Sequence, residues 1–98
     1  MATTTERLRA AQVKIDEARD RVEADAAASP VLLAVVNEFA TKAAKATAAD
    51  DERTAVIELE QAGDSAKAAA EADPAVSDAA RQAVIDAHLA ICIAKGKL

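Results

Sequence analysis

The chain of 98 residues is short of almost everything that punctuates or decorates a fold. Phe39 is its only aromatic side chain, and tyrosine and tryptophan are absent. Only two glycines and two prolines interrupt it, so there is no glycine-rich loop to cradle a phosphate and no dinucleotide fingerprint. The single cysteine, Cys92, cannot close an internal disulfide, and nothing points to an oxidising compartment. Runs of lysine or arginine are missing too, and the net charge is -5. Unassisted nucleic-acid binding needs a basic footprint and is not expected. The longest apolar run, PVLLAVV, is far too short to cross a bilayer, and MATTTERLRAAQ at the start holds no hydrophobic signal segment. Cytoplasmic residence is the expectation.

What the chain does have is alanine, roughly 30% of its residues and far above ordinary usage. Alanine is the best helix former, and the strand-favouring residues are few and fall at helical spacing. An all-α fold follows. Residues 1–98 are expected to form one domain with one modest core.

Four helical segments can be read. In the first, threonines stand ready to cap, and Leu8, Ala11, Ile15, Ala18 and Val22 form one narrow apolar stripe. ASPVLL and EADPAV are corners, in which Ser29 and Asp73 are expected as caps and Pro30 and Pro74 as first helical residues. Helix 2 carries a wide apolar arc of Val31, Leu32, Leu33, Val35, Val36, Phe39 and Ala40, which predicts a central helix. The third helix has a seam of small residues, Ala55, Leu59, Ala62, Ala66 and Ala69. Gly63 lies at its edge, either to admit a close neighbour or as a tolerated defect. In helix 4, Val76, Ala80, Ala83, Val84, Ala87, Ile91 and Ala94 form the seam. A second stripe, Ile85, Leu89, Cys92 and Ile93, lies on nearly the opposite side.

The link between helices 2 and 3 has no proline or glycine. Its acidic cluster Asp50, Asp51 and Glu52 favours a helix start. The seam closed by Ala46 and the seam opened by Ala55 would face opposite ways on one continuous helix. A turn near residues 47–50 is therefore predicted, giving a small antiparallel four-helix bundle. The alternative is three helices with one long central helix. EAD recurs at Glu23–Asp25 and Glu71–Asp73, each time shortly before a proline corner. Helices 1–2 and 3–4 would then be two copies of one hairpin.

Chemistry has little to work with. His88 and Cys92 share a helical turn, but zinc needs three or four ligands, and the chain has no second histidine or cysteine. Asp86 projects away from His88 by about 160° on a helix. A cysteine–histidine nucleophile needs an orienting group and an oxyanion site. No catalytic, cofactor-binding or metal residue is assigned, and no cofactor. The reading is a non-enzymatic interaction module. It would self-associate as a homodimer, or dock another protein, through Ile85, Leu89, Cys92 and Ile93, with help from helix 2. A small enzyme or ligand carrier with a pocket between helices is the alternative, and would need polar groups such as Asn37, Thr41 and His88 converging inside the bundle. A third reading is a subunit of a larger helical assembly.

Overall fold

A computed structural model describes residues 3–48 and 50–96. Among them the chain forms four helices: α1 (Thr4–Ala24), α2 (Pro30–Ala46), α3 (Glu52–Ala72) and α4 (Asp78–Gly96). The turn after α2 falls where the acidic cluster places it, with Asp51 accepting the Thr54 amide as the cap of α3. Ala49, inside the predicted turn, lies outside the described residues. Neighbours around the bundle are α1–α2, α2–α3, α3–α4 and α4–α1, so α1 faces α3, and α2 faces α4, across the diagonals.

This ring corrects the reading of α2 as a central helix. Each helix touches two neighbours, and the wide apolar arc of α2 is only partly used. Leu32, Val36, Phe39, Ala40, Ala43 and Ala46 are buried. Leu33 and Val35 pack against the core rim, and Val31 stays 67% exposed at the start of the helix. In α1 the buried residues are the five of the predicted stripe. In α3 the seam is turned by one position at each end: Val56 and Ala70 are buried, while Ala55 and Ala69 are only partly covered.

Helix α4 does not begin at Pro74. Pro74, Ala75 and Val76 form a bend, and Ser77 is the cap, its hydroxyl accepting the Ala80 amide at 3.2 Å. Asp73 ends α3 instead, with φ -91° and ψ 105°. Its Oδ1 accepts the amides of Ala75 and Val76 and closes the bend. Burial of Val76 holds the loop down. The Arg81 guanidinium reaches back to the carbonyls of Ala70, Asp73 and Val76.

The physical reason lies in the repeat. Asp73 and Ser77 stand 48 positions after Asp25 and Ser29. Asp25 ends α1 with φ -92° and ψ 105°, and Ser29 caps α2. Asp73 is therefore the counterpart of Asp25, and Ser77–Asp78 is the counterpart of Ser29–Pro30. The same shift carries the bounds of α1 onto those of α3, and the cap Thr3 onto the cap Asp51. Most of the buried positions follow the same shift, from Leu8 and Val56 through Ala46 and Ala94. The chain is two similar hairpins packed face to face.

Candidate functional site

The exposed face of α4 and its boundary with α3 hold the second stripe and the histidine–cysteine pair that the sequence singles out. Positions 84, 87, 91 and 94 point into the core at helical spacing. Ile85, Leu89 and Ile93 then fall on the outer side by the same geometry. Leu89 is 56% exposed and Ile93 is 52% exposed, while Ile85 and Cys92 are half-buried. The second stripe is thus at the surface and is not a second core seam. Val13, Val31 and Ile57 are also exposed, each on a different helix, as is ordinary for isolated surface hydrophobics. Leu89 and Ile93 differ in sitting one turn apart on one helix.

His88 and Cys92 lie at the α3–α4 boundary. The His88 ring packs beside Gly63, where an added Cβ would come within 3.0 Å of its Cδ2 and 3.1 Å of Phe39 Cζ. Gly63 is therefore a close-approach glycine. His88 Nε2 pairs with the carboxylate of Asp64, which sequence reasoning missed. The only available signal was the helical surface shared by Gly63 and its successor, and that needs the α3–α4 register to be known. Further along the same boundary, Lys95 pairs with Glu60. Asp86 accepts from Gln82 and takes no part.

Cysteine, histidine and aspartate in one cluster invite a comparison with a nucleophilic triad, and the geometry speaks against it. In such a triad the carboxylate holds one ring nitrogen and the nucleophile meets the other. Here both converge on Nε2, with Cys92 Sγ at 3.5 Å from it and 4.0 Å from Nδ1. Asp64 competes with the thiol for that nitrogen. Burial pushes the Cys92 thiol above its usual range, and the charges of Glu60 and Asp64 push it further, whereas a nucleophile needs the opposite. Among the described residues no three His, Cys, Asp or Glu side chains are placed to hold a metal ion together.

A ligand pocket needs polar groups inside the bundle. Asn37 and Thr41 are on the outside of α2, where the Thr41 hydroxyl donates to the Asn37 carbonyl at 2.9 Å. The core is alanine and aliphatic side chains around Phe39. Among the described residues no buried side-chain nitrogen or oxygen is left without a partner. The surface clefts lie between neighbouring helices, as at Glu38, Lys42, Lys45, Ala55 and Glu58. No helix among the described residues is long and apolar enough to cross a membrane. Comparison with known proteins finds no matching family model, no matching curated protein and no matching solved structure.

Proposed function

We propose that the chain is a non-enzymatic association module, and that a second copy of it docks on the outer face of α4 through Ile85, Leu89, Cys92 and Ile93. The observation that carries this reading is the contrast between the two hairpins. The positions 48 residues earlier hold Asn37, Thr41, Ala44 and Lys45, all of them exposed. The same place in the same fold is filled with solvated residues, so packing does not demand Ile85, Leu89 and Ile93 on α4.

The stripe also suits a two-fold pair. In an antiparallel pairing centred on Leu89, each Leu89 meets its copy, and each Ile85 meets the Ile93 of the other chain. One patch then serves as both halves of an isologous interface. Helix α2 does not contribute to it, because α2 and α4 lie on a diagonal and their outer faces point apart. The non-catalytic part of the reading rests on the competition at His88 Nε2 and on the raised thiol. It goes with a cytoplasmic setting, in which a lone thiol stays reduced.

Sedimentation of the full chain over a wide concentration range tests the proposal. The expected result is a monomer–dimer equilibrium for the wild type and a folded monomer for Leu89→Asp. A wild type that stays monomeric at millimolar concentration would overturn it.

A further inference from the structure

At one end of the bundle the two connecting loops are tied to each other twice. The Ser77 amide donates to Asp25 Oδ2 at 2.7 Å. The Ser29 amide donates to Asp73 Oδ2 at 2.8 Å. Each aspartate keeps its other oxygen for its own loop: Asp25 Oδ1 accepts from Ala27, and Asp73 Oδ1 accepts from Ala75 and Val76. Each carboxylate therefore closes one hairpin and sits on the capping serine's amide of the other. The positive end of a helix favours negative charge there. The far end is joined differently, by the covalent connection from α2 to α3 and by the Thr5 hydroxyl donating to Glu52 at 2.7 Å.

We propose that the Asp25–Ser77 and Asp73–Ser29 clasps are one acid-released latch, which holds the hairpins closed at the loop end and lets them part there when both carboxyls take up protons.

The hydrogen-bond inventory carries the argument. An ionised carboxylate only accepts, and both oxygens of each aspartate accept backbone N–H donors. A proton on either oxygen removes the charge that strengthens these bonds and makes that oxygen a hydroxyl donor and a poor acceptor. Both the loop's own amide bond and the one across the bundle weaken, and only the second is unsupported by local chain connectivity. The clasps also share their loops, because the loop that Asp25 closes presents Ser29 to Asp73, and the loop that Asp73 closes presents Ser77 to Asp25.

The charged surroundings are few. Arg21 on α1 lines the same cleft as Asp25 and Ser77. Arg81 on α4 binds the Asp73 backbone carbonyl and pairs with Asp78. Glu23 and Glu71 precede the two aspartates, and α2 has no ionisable residue before Glu38. Both carboxyls are held below their usual range, chiefly by the serine amide across the bundle and next by an amide of their own loop. For a depressed carboxylate the stabilisation is complete above the unfolded-state value and fades as pH falls through the folded one. The latch is therefore closed at neutral pH and opens only below about pH 3.8.

The full chain, isotopically labelled, tests this by amide resonances and hydrogen exchange against pH. The Ser29 and Ser77 amides are expected to titrate together with midpoints below 3.8. They should lose exchange protection over that range while the amides of Val36 and Val84, within the helices, keep theirs. In Asp25→Asn, the midpoint read at Ser29 should rise, because loss of one clasp loosens the other. Three results would overturn the latch. One is serine amides that keep their shifts and protection after the Asp25 and Asp73 carboxyl resonances have titrated. Another is a Ser29 midpoint unchanged in Asp25→Asn. The third is protection lost at the serines and at Val36 and Val84 in a single step.

Discussion

Gly63 on α3 and His88 on α4 approach so closely that a Cβ on the glycine would stand 3.0 Å from the histidine Cδ2. Phe39 closes the other side at 3.1 Å and is fully buried, so it has little room to retreat. Exchanging a mid-helix glycine for alanine ordinarily gains about 1 kcal/mol. Overpacking a filled core costs about 1–3 kcal/mol. The crowding is expected to win, and Gly63→Ala should lower stability by roughly 1 kcal/mol in urea melts. Trimming the ring in Gly63→Ala/Phe39→Leu should restore the gain from helix propensity, so the pair should be less harmful than the separate effects added together. A Gly63→Ala variant more stable than the wild type would show that the neighbours yield.

Arg81 is predicted to be the most sensitive charged residue. Its guanidinium binds the carbonyls of Ala70, Asp73 and Val76 and the carboxylate of Asp78, and its side chain is only 25% exposed. It thus satisfies the last carbonyls of α3 and the bend that leads into α4. Hydrogen bonds to charged groups are worth about 1.5–3 kcal/mol each, and shared geometry keeps them from adding fully. Arg81→Ala should cost roughly 2–3 kcal/mol. Arg81→Lys should recover little, since an ammonium cannot reproduce the planar fork. Exchange should quicken first at residues 73–77. Full rescue by lysine would reduce the interaction to simple charge.

The thiol of Cys92 should react slowly with a disulfide reagent at neutral pH, and its rate should keep climbing beyond pH 9.0, the ordinary thiol value. Burial contributes most to this, followed by Glu60 and then Asp64. Removing a negative neighbour makes ionisation easier, so Glu60→Gln and Asp64→Asn should each move the pH–rate curve to lower pH. A curve centred well below 9.0 in the wild type would contradict the placement of the carboxylates around the sulfur.

How much of this was legible in the sequence depends on how unequal the residues are. The stripe of α1 was readable in full, because Leu8, Ile15 and Val22 stand among charged residues. The seam of α3 was misplaced because alanines surround it on both sides, and only Val56 and Leu59 tell one face from the other. The turn after α2 was placed correctly, although the phase argument used Ala55 where Val56 is the buried residue. The start of α4 was misread because Asp–Pro looks like a cap, and only the spacing of the repeat shows that Asp73 answers to Asp25. The pairing of Asp64 with His88, and the two clasps, join residues 24, 44 and 52 positions apart. Such bonds depend on the register between helices, which no local pattern contains.

The outer face of α4 allows a sharper test than a single charge, because the repeat supplies its own replacement residues. Ile85→Asn, Leu89→Thr and Ile93→Lys would graft the face of α2 onto α4. Full burial of an aliphatic side chain is worth about 1.5–3 kcal/mol. Leu89 and Ile93 keep only about half their surface to lose, so the four of them in a pair offer roughly 3–6 kcal/mol. The cost of association offsets much of this. The wild-type dimer is therefore expected to be weak and populated only towards millimolar concentration. The grafted chain should be monomeric at every concentration. Its unfolding free energy should stay within about 0.5 kcal/mol of the wild-type monomer per exposed site, with a somewhat larger loss at half-buried Ile85. Sedimentation and urea melts on the same samples decide between the two roles of the stripe. A grafted chain that fails to fold would mean that α4 needs those residues for the bundle itself, and an unchanged dimer would move the contact to another face.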